Sequence, residues 1–138
     1  MPACSLTLGG RFAFERTTRG TEVPVVRIGV YARPLPRAFV APFIVDTGCD
    51  VPLVLSPPLR DRLKAAGCPS SADVIEWGGI VQCERYAVWA ALHGKWAPVS
   101  AFYPTNPVSD QNLAGLPIFA RTSVCFRPPT RELYLVAP

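Results

Sequence analysis

Asp46 stands in the stretch "FIVDTGCDVPLVLS" (Phe43–Ser56), where one apolar run ends and, a few residues later, another begins. Phe43-Ile44-Val45 and Val51-Pro52-Leu53-Val54-Leu55 both read as buried strands, so Asp46 closes a core strand, where a carboxylate is seldom left without a purpose. One carboxylate has little chemistry, but two have more. Like charges a few ångströms apart cannot both ionise cheaply, so a close pair shares one proton and offers a base to activate water beside an acid to protonate a carbonyl oxygen or a leaving amine. The neighbouring Cys49 could in principle be a nucleophile, yet the only histidine, His93, sits in the distant turn "LHGK", so nothing marks a thiolate site. The plainer alternative for Asp46 is a strand-end aspartate bonded to its own backbone in an Asx-turn.

The rest of the chain must position that turn. At 138 residues it is expected to be one domain, able to bury roughly two thirds of its unfolded surface. Hydrophobic residues make up 49% and charged residues 17%, which marks a globular chain rather than a disordered one. Sixteen prolines spread along the sequence disfavour long helices and suit strands and turns. The net charge of +4 comes from scattered residues with no basic block longer than Arg60–Lys64, which argues against a nucleic-acid partner. No run approaches the length of a membrane span, and the N-terminus lacks the apolar segment of a secretory signal. Cysteines at 4, 49, 68, 83 and 125 are odd in number and form no Cys-x-x-Cys pair. Neither a metal site nor a disulfide framework is expected, no cofactor is implied, and a cytoplasmic setting follows.

Period and turn chemistry give the elements. Val23–Tyr31 alternates as a half-buried strand, and Ala38–Val45 is a second, with Pro42 pointing to an edge position or a bulge. Val51–Leu55 is a third. "SPPLRDRLKAAG" then reads as a short helix, with Ser56 as N-cap, Pro57 at the first helical position, Leu59, Leu63 and Ala66 on one face, and Gly67 as terminator. Asp73–Tyr86 centres on Gly78-Gly79, a pair suited to the tip of a hairpin. Tyr86–Leu92 and Trp96–Tyr103 follow as strands, then a loop over Pro104–Gln111. Leu113–Arg121 begins apolar and is expected to end as a helical turn from Pro117, and Ser123–Phe126 pairs with Glu132–Val136 around "RPPT". The expected fold class is all-β with one or two short helices.

With these segments in order, "FIVDTGCDVPLVLS" resembles the active-site segment of the retroviral-type, or retropepsin-like, single-domain aspartic proteases. That family has a hairpin leading into Asp-Thr/Ser-Gly, a glycine-bearing flap where this chain has "EWGGIVQ", and an apolar Gly segment where it has "NLAGLPIF". The helix after "VLS" and the C-terminal hairpin are most similar to the cellular branch, in the style of the protease domain of ubiquitin-shuttle proteins. The resemblance covers Glu22–Val136 and leaves residues 1–21 as an N-terminal arm or dimer strand. It implies an acid-protease barrel that works as a symmetric homodimer, each chain giving one Asp46 to the dyad.

The resemblance also assigns roles. Asp46, Thr47 and Gly48 form the catalytic turn, with Thr47 bonding across the dimer axis and Gly48 letting the backbone turn and approach substrate. Ile44, Cys49, Asp50 and Val51 would line the cleft, while Trp77, Gly78, Gly79 and Ile80 would form a flap that grips an extended peptide. Gly115 would pack beneath the catalytic turn. The implied activity is endoproteolysis of extended, apolar-flanked peptides, with a catalytically weak peptide-binding module of the same dimeric fold as the alternative. A third reading is an unrelated β-barrel in which the Asp-Thr-Gly is coincidental. Cys49 for the usual Ala, Pro52 near a usual Ser or Thr, and Ala114 and Pro117 in the Gly segment depart from the family pattern. They bear on rate and specificity more than on reaction type.

Overall fold

The computed structural model describes residues 11–16, 20, 22–31, 39–92, 95–106, 110–119, 123–127 and 132–136. Among them the strands are β1 (Arg11–Arg16), β2 (Glu22–Tyr31), β3 (Phe39–Asp46), β4 (Leu53–Val54), β5 (Ser70–Glu76), β6 (Ile80–Leu92), β7 (Lys95–Pro104), β8 (Asn112–Gly115), β9 (Ser123–Arg127) and β10 (Glu132–Val136). One α-helix, α1 (Pro57–Ala65), and one 3₁₀ turn (Leu116–Phe119) complete the set. The fold is mostly β, as the proline content requires.

Six strands close on themselves. β2 pairs with β3, β3 with β8, β8 with β4, β4 with β7, β7 with β6, and β6 returns to β2 through Gly29↔Ala91, Val30↔Ala90 and Tyr31↔Trp89. Closure removes the open edges that an exposed sheet would carry. Val26, Ile28 and Val30 point into this barrel and are fully buried with Phe43, Leu53 and Tyr86. The single face read for Val26, Ile28 and Val30 is therefore the core face.

Several elements take a form that the sequence reading did not give in full, because of the partners the fold brings to them. Tyr86–Leu92 is no separate strand; β6 runs unbroken through it, paired with β5 over Ile80–Tyr86 and with β2 over Trp89–Ala91. Its polarity pattern shifts because its neighbours change. Pro42 belongs to a strand that is interior from Phe43 onward, but β8 pairing begins only at Phe43, so the proline occupies the one stretch where that side of β3 is open. The strand after the Asp turn is only Leu53–Val54, because the carbonyls of Cys49 and Pro52 accept from Leu116 and Gly115 N–H instead (2.9 and 2.8 Å). Arg11–Arg16, within the segment read as an N-terminal arm or dimer strand, is a strand that pairs in this chain with β2 and β10.

Helix α1 follows its spelling. Ser56 is the N-cap, its Oγ facing the Leu59 N–H at 3.5 Å, and Leu59 and Leu63 are its buried residues, whereas Ala66 is the exposed C-cap. Gly67, at φ +76°, ends it in a Schellman motif: Cys68 N–H donates to Leu63 C=O and Gly67 N–H to Lys64 C=O, both 3.0 Å. No helix among the described residues is long and apolar enough to cross a membrane.

A buried polar side chain ties this helix to the barrel. Asn112 Oδ1 accepts from Ser56 N–H at 2.7 Å, and its Nδ2 donates to Pro42 C=O at 3.2 Å, with the residue only 7% exposed. Asn112→Ala leaves the Ser56 N–H buried without an acceptor, and we expect a loss of about 2–3 kcal/mol. Urea denaturation at fixed protein concentration should show a lower midpoint with an unchanged slope.

Candidate active site

Asp46 is the last residue of β3 and lies opposite Gly115 in the parallel β3–β8 pair, so its position is fixed from the barrel side. The chain then turns. Cys49 N–H donates to Asp46 C=O, and Gly48 N–H donates to Asp46 Oδ1, both at 3.1 Å. This is the Asx-type bond of a strand-end aspartate, but it occupies one carboxylate oxygen of a half-exposed side chain and also aims it. The plain structural role is thus present at Asp46 and does not exclude a chemical one.

Gly115 supports the turn from below. A β-carbon there would overlap the Val51 carbonyl oxygen and lie 2.7 Å from that of Cys49. Gly48 differs: it has no positive φ, and an added β-carbon would meet only Asp46 Oδ1 at 3.4 Å, an ordinary contact. Within the chain, then, Gly48 is not needed for the backbone to turn; the demand for glycine would have to come from something approaching it. At the hairpin tip the demand is conformational, since Gly78 and Gly79 have φ of +64° and +145°.

That tip reaches back over the turn. β5 and β6 pair from Ser70↔Tyr86 to Glu76↔Ile80, and Trp77 N–H donates to Gly79 C=O at 2.7 Å to close the loop. Between hairpin and turn lies a cavity of about 260 Å³ lined by Asp46, Gly48, Cys49, Asp50, Val51, Ile75, Glu76, Trp77 and Gly78. Thr47 is exposed, and neither it nor Gly79, Ile80 or Gly115 lines the cavity; Ile80 is 83% exposed at the tip. Ile44 lies beneath, packed with Val51 and Trp77 against a small apolar cluster of Cys49, Val54 and Leu113.

Sequence reasoning did not single out Ile75, Glu76, Val54, Leu113 or Asn112. Ile75 stands near the end of β5, two residues before Trp77, and lines the cavity with it. Among the described residues no group of His, Cys, Asp and Glu could hold a metal ion.

Cys49 is buried, its Sγ 3.6 Å from Val51 C=O, and burial pushes its thiol above the usual range, helped by the charges of Asp46 and Asp50. Burial does the same for Cys68, and for Cys83 with help from Asp73. In each case the folded thiol ionises later than the unfolded one. The associated stability is thus complete below the ordinary thiol range and is lost as pH rises through the raised folded value. We expect alkylation of Cys49, Cys68 and Cys83 by iodoacetamide at neutral pH to be slower in the folded protein than in urea. Site-resolved mass spectrometry would check it.

No protein-family model matches the sequence, and no curated protein does. Solved structures do. The crystal structure of a retropepsin-like aspartic protease from Rickettsia conorii superposes with a TM-score of 0.62 at 14% identity, covering 91% of this chain and 89% of that one. The fold is retropepsin-like. EIAV protease, solved with the inhibitor HBY-793, also matches, with a TM-score of 0.52, 18% identity, and coverage of 75% of this chain and 91% of the other. In this fold the closed barrel carries the Asp turn at the end of β3, and the tip of the β5–β6 hairpin lies across the cavity from it.

Proposed function

We propose that the chain is one half of a homodimeric aspartic endopeptidase, with Asp46 of each copy forming the catalytic pair. The observation that carries this reading is the placement of Asp46: a carboxylate aimed by its own turn, on the floor of a cavity roofed by a glycine-tipped hairpin. The two solved structures described above are proteases, which supports the same class.

The chemistry requires two such carboxylates. One, ionised, takes a proton from water as the oxygen attacks the peptide carbonyl carbon; the other, protonated, gives its proton to the carbonyl oxygen. The tetrahedral adduct then collapses, the C–N bond breaks, and a proton passes to the leaving amine. The aspartic-protease dyad is the known case of this shared-proton effect. Substrate would lie extended between the flap and the floor, bonded as an added strand. In this reading Thr47, which is exposed beside Asp46, meets the second copy, and Asp50, which lines the cavity, meets the peptide backbone. The free, buried thiols of Cys49, Cys68 and Cys83 support a reducing, cytoplasmic compartment.

The test is digestion of a diverse peptide library from acidic to neutral pH, read by mass spectrometry, with the oligomeric state followed by sedimentation. Cleavage with a bell-shaped pH profile by a dimer is expected, because one carboxyl must be protonated and the other not. A strict monomer would overturn the reading. A dimer that binds peptides without cutting them would leave a peptide-binding module.

A further inference from the structure

The flap does more than cover the cavity. Trp77 packs down onto the apolar cluster of Cys49, Val54 and Leu113, beside Ile44 and Val51. Cys49, Val54 and Leu113 are 7%, 2% and 8% exposed, so the recess beneath the indole is already closed. Trp77 itself is half-buried, and its backbone is held by the bond to Gly79 C=O at the glycine tip. Ile75, near the end of β5, lines the cavity with Trp77, while Val74 and Ile80 are exposed. The largest side chain of the flap is therefore spent on filling apolar space immediately beside the Asp46 turn.

We propose that Trp77 sets a size limit on the substrate, a reading that rests on the peptidase assignment above. Its indole occupies the recess that would otherwise receive an apolar side chain close to the scissile bond. Peptides with Gly, Ala or Ser at that position enter the cavity, and peptides with Leu or Phe there must displace the indole or be rejected. A symmetric homodimer carries the recess twice, once on each side of the scissile bond. The small-residue requirement therefore falls on two positions placed symmetrically about the cut. This narrows the expectation of apolar flanks: large apolar residues belong at other positions.

The experiment compares cleavage profiles of wild type, Trp77→Ala and Trp77→Val on one peptide library, with circular dichroism to establish folding. Wild type should select small residues at a symmetric pair of positions. Both variants should admit Leu and Phe at that same pair, raising kcat/KM for Leu-bearing over Ala-bearing peptides by about 10–100-fold, the range spanned by a few methylenes in a pocket. Wild-type cleavage with large residues accepted at every position, or variant profiles identical to wild type, overturns the size limit and leaves the peptidase reading intact. If no protein cuts, fluorescence polarisation of labelled Ala- and Leu-bearing peptides on Asp46→Asn and Asp46→Asn/Trp77→Ala reads the recess directly. Tighter binding of the Leu peptide by the double variant alone supports the size limit. Equal preference in both proteins, or no binding, overturns it.

Discussion

Replacing Asp46 with Asn is expected to abolish peptide cleavage while leaving the fold in place. Asn keeps an oxygen to accept the Gly48 N–H, now bonded at 3.1 Å, so the turn retains the contact that shapes it. What it loses is ionisation and the shared proton. Acid–base catalysis of this kind contributes about 10²–10⁴-fold, and with both carboxyls altered the loss should lie at or beyond the upper end. Circular dichroism and the dimer's sedimentation should be unchanged, and a bound peptide should survive uncut. Mixing gives a sharper result. When equal amounts of wild-type and Asp46→Asn chains exchange freely, about a quarter of the dimers are wild type on both sides. Activity per wild-type chain should then fall by about half. Activity that stays proportional to wild-type chain alone would mean that each chain works by itself, and the shared-dyad assignment would fail.

Gly115→Ala is expected to be nearly as damaging, through structure. The added carbon would overlap the Val51 carbonyl oxygen. The chain cannot step aside easily, because Gly115 N–H is bonded to Pro52 C=O at 2.8 Å and the next N–H, of Leu116, to Cys49 C=O at 2.9 Å. Relief requires breaking these bonds or pushing the 49–51 segment toward the cavity. Overpacking with backbone displacement typically costs 1–3 kcal/mol, and clamped backbone places this case at or above about 3 kcal/mol. Denaturant titration should show the loss, and any folded fraction should cleave poorly because the floor beside Asp46 has moved. Gly48→Ala is the useful contrast. Its added carbon meets only an ordinary contact within the chain, so stability should hold, and an effect on activity would point to crowding of substrate or the second copy.

The sequence was most legible where one residue type answers one local need. Ser56, Pro57 and Gly67 bracket α1, and Gly78-Gly79 marks the tip of the β5–β6 hairpin, because caps and positive φ are decided within a few residues. The Asp turn was legible for the same reason. What escaped depends on neighbours far along the chain. β6 was split at Tyr86 because its pattern reflects β5 in one half and β2 in the other, and no local period encodes a change of partner. The apolar start and helical turn expected over Leu113–Arg121 are there as β8 and the 3₁₀ turn over Leu116–Phe119, but the bonds of the Gly115 and Leu116 N–H groups to the turn opposite were not legible. The role of Asn112 is invisible until Ser56 and Pro42 are brought to either side of it.

The parallel register of Phe43–Asp46 with Asn112–Gly115 also sets when the Asp46 turn gains its support during synthesis. A ribosome delivers the Asp turn early and the strand beneath it late, and no local contact can stand in for that strand. Closing such a long loop is slow and cannot begin until its far end has emerged. A nascent chain halted before Gly115 carries the Asp46 turn without the strand that supports it, so the candidate site is assembled only after β8 has been made.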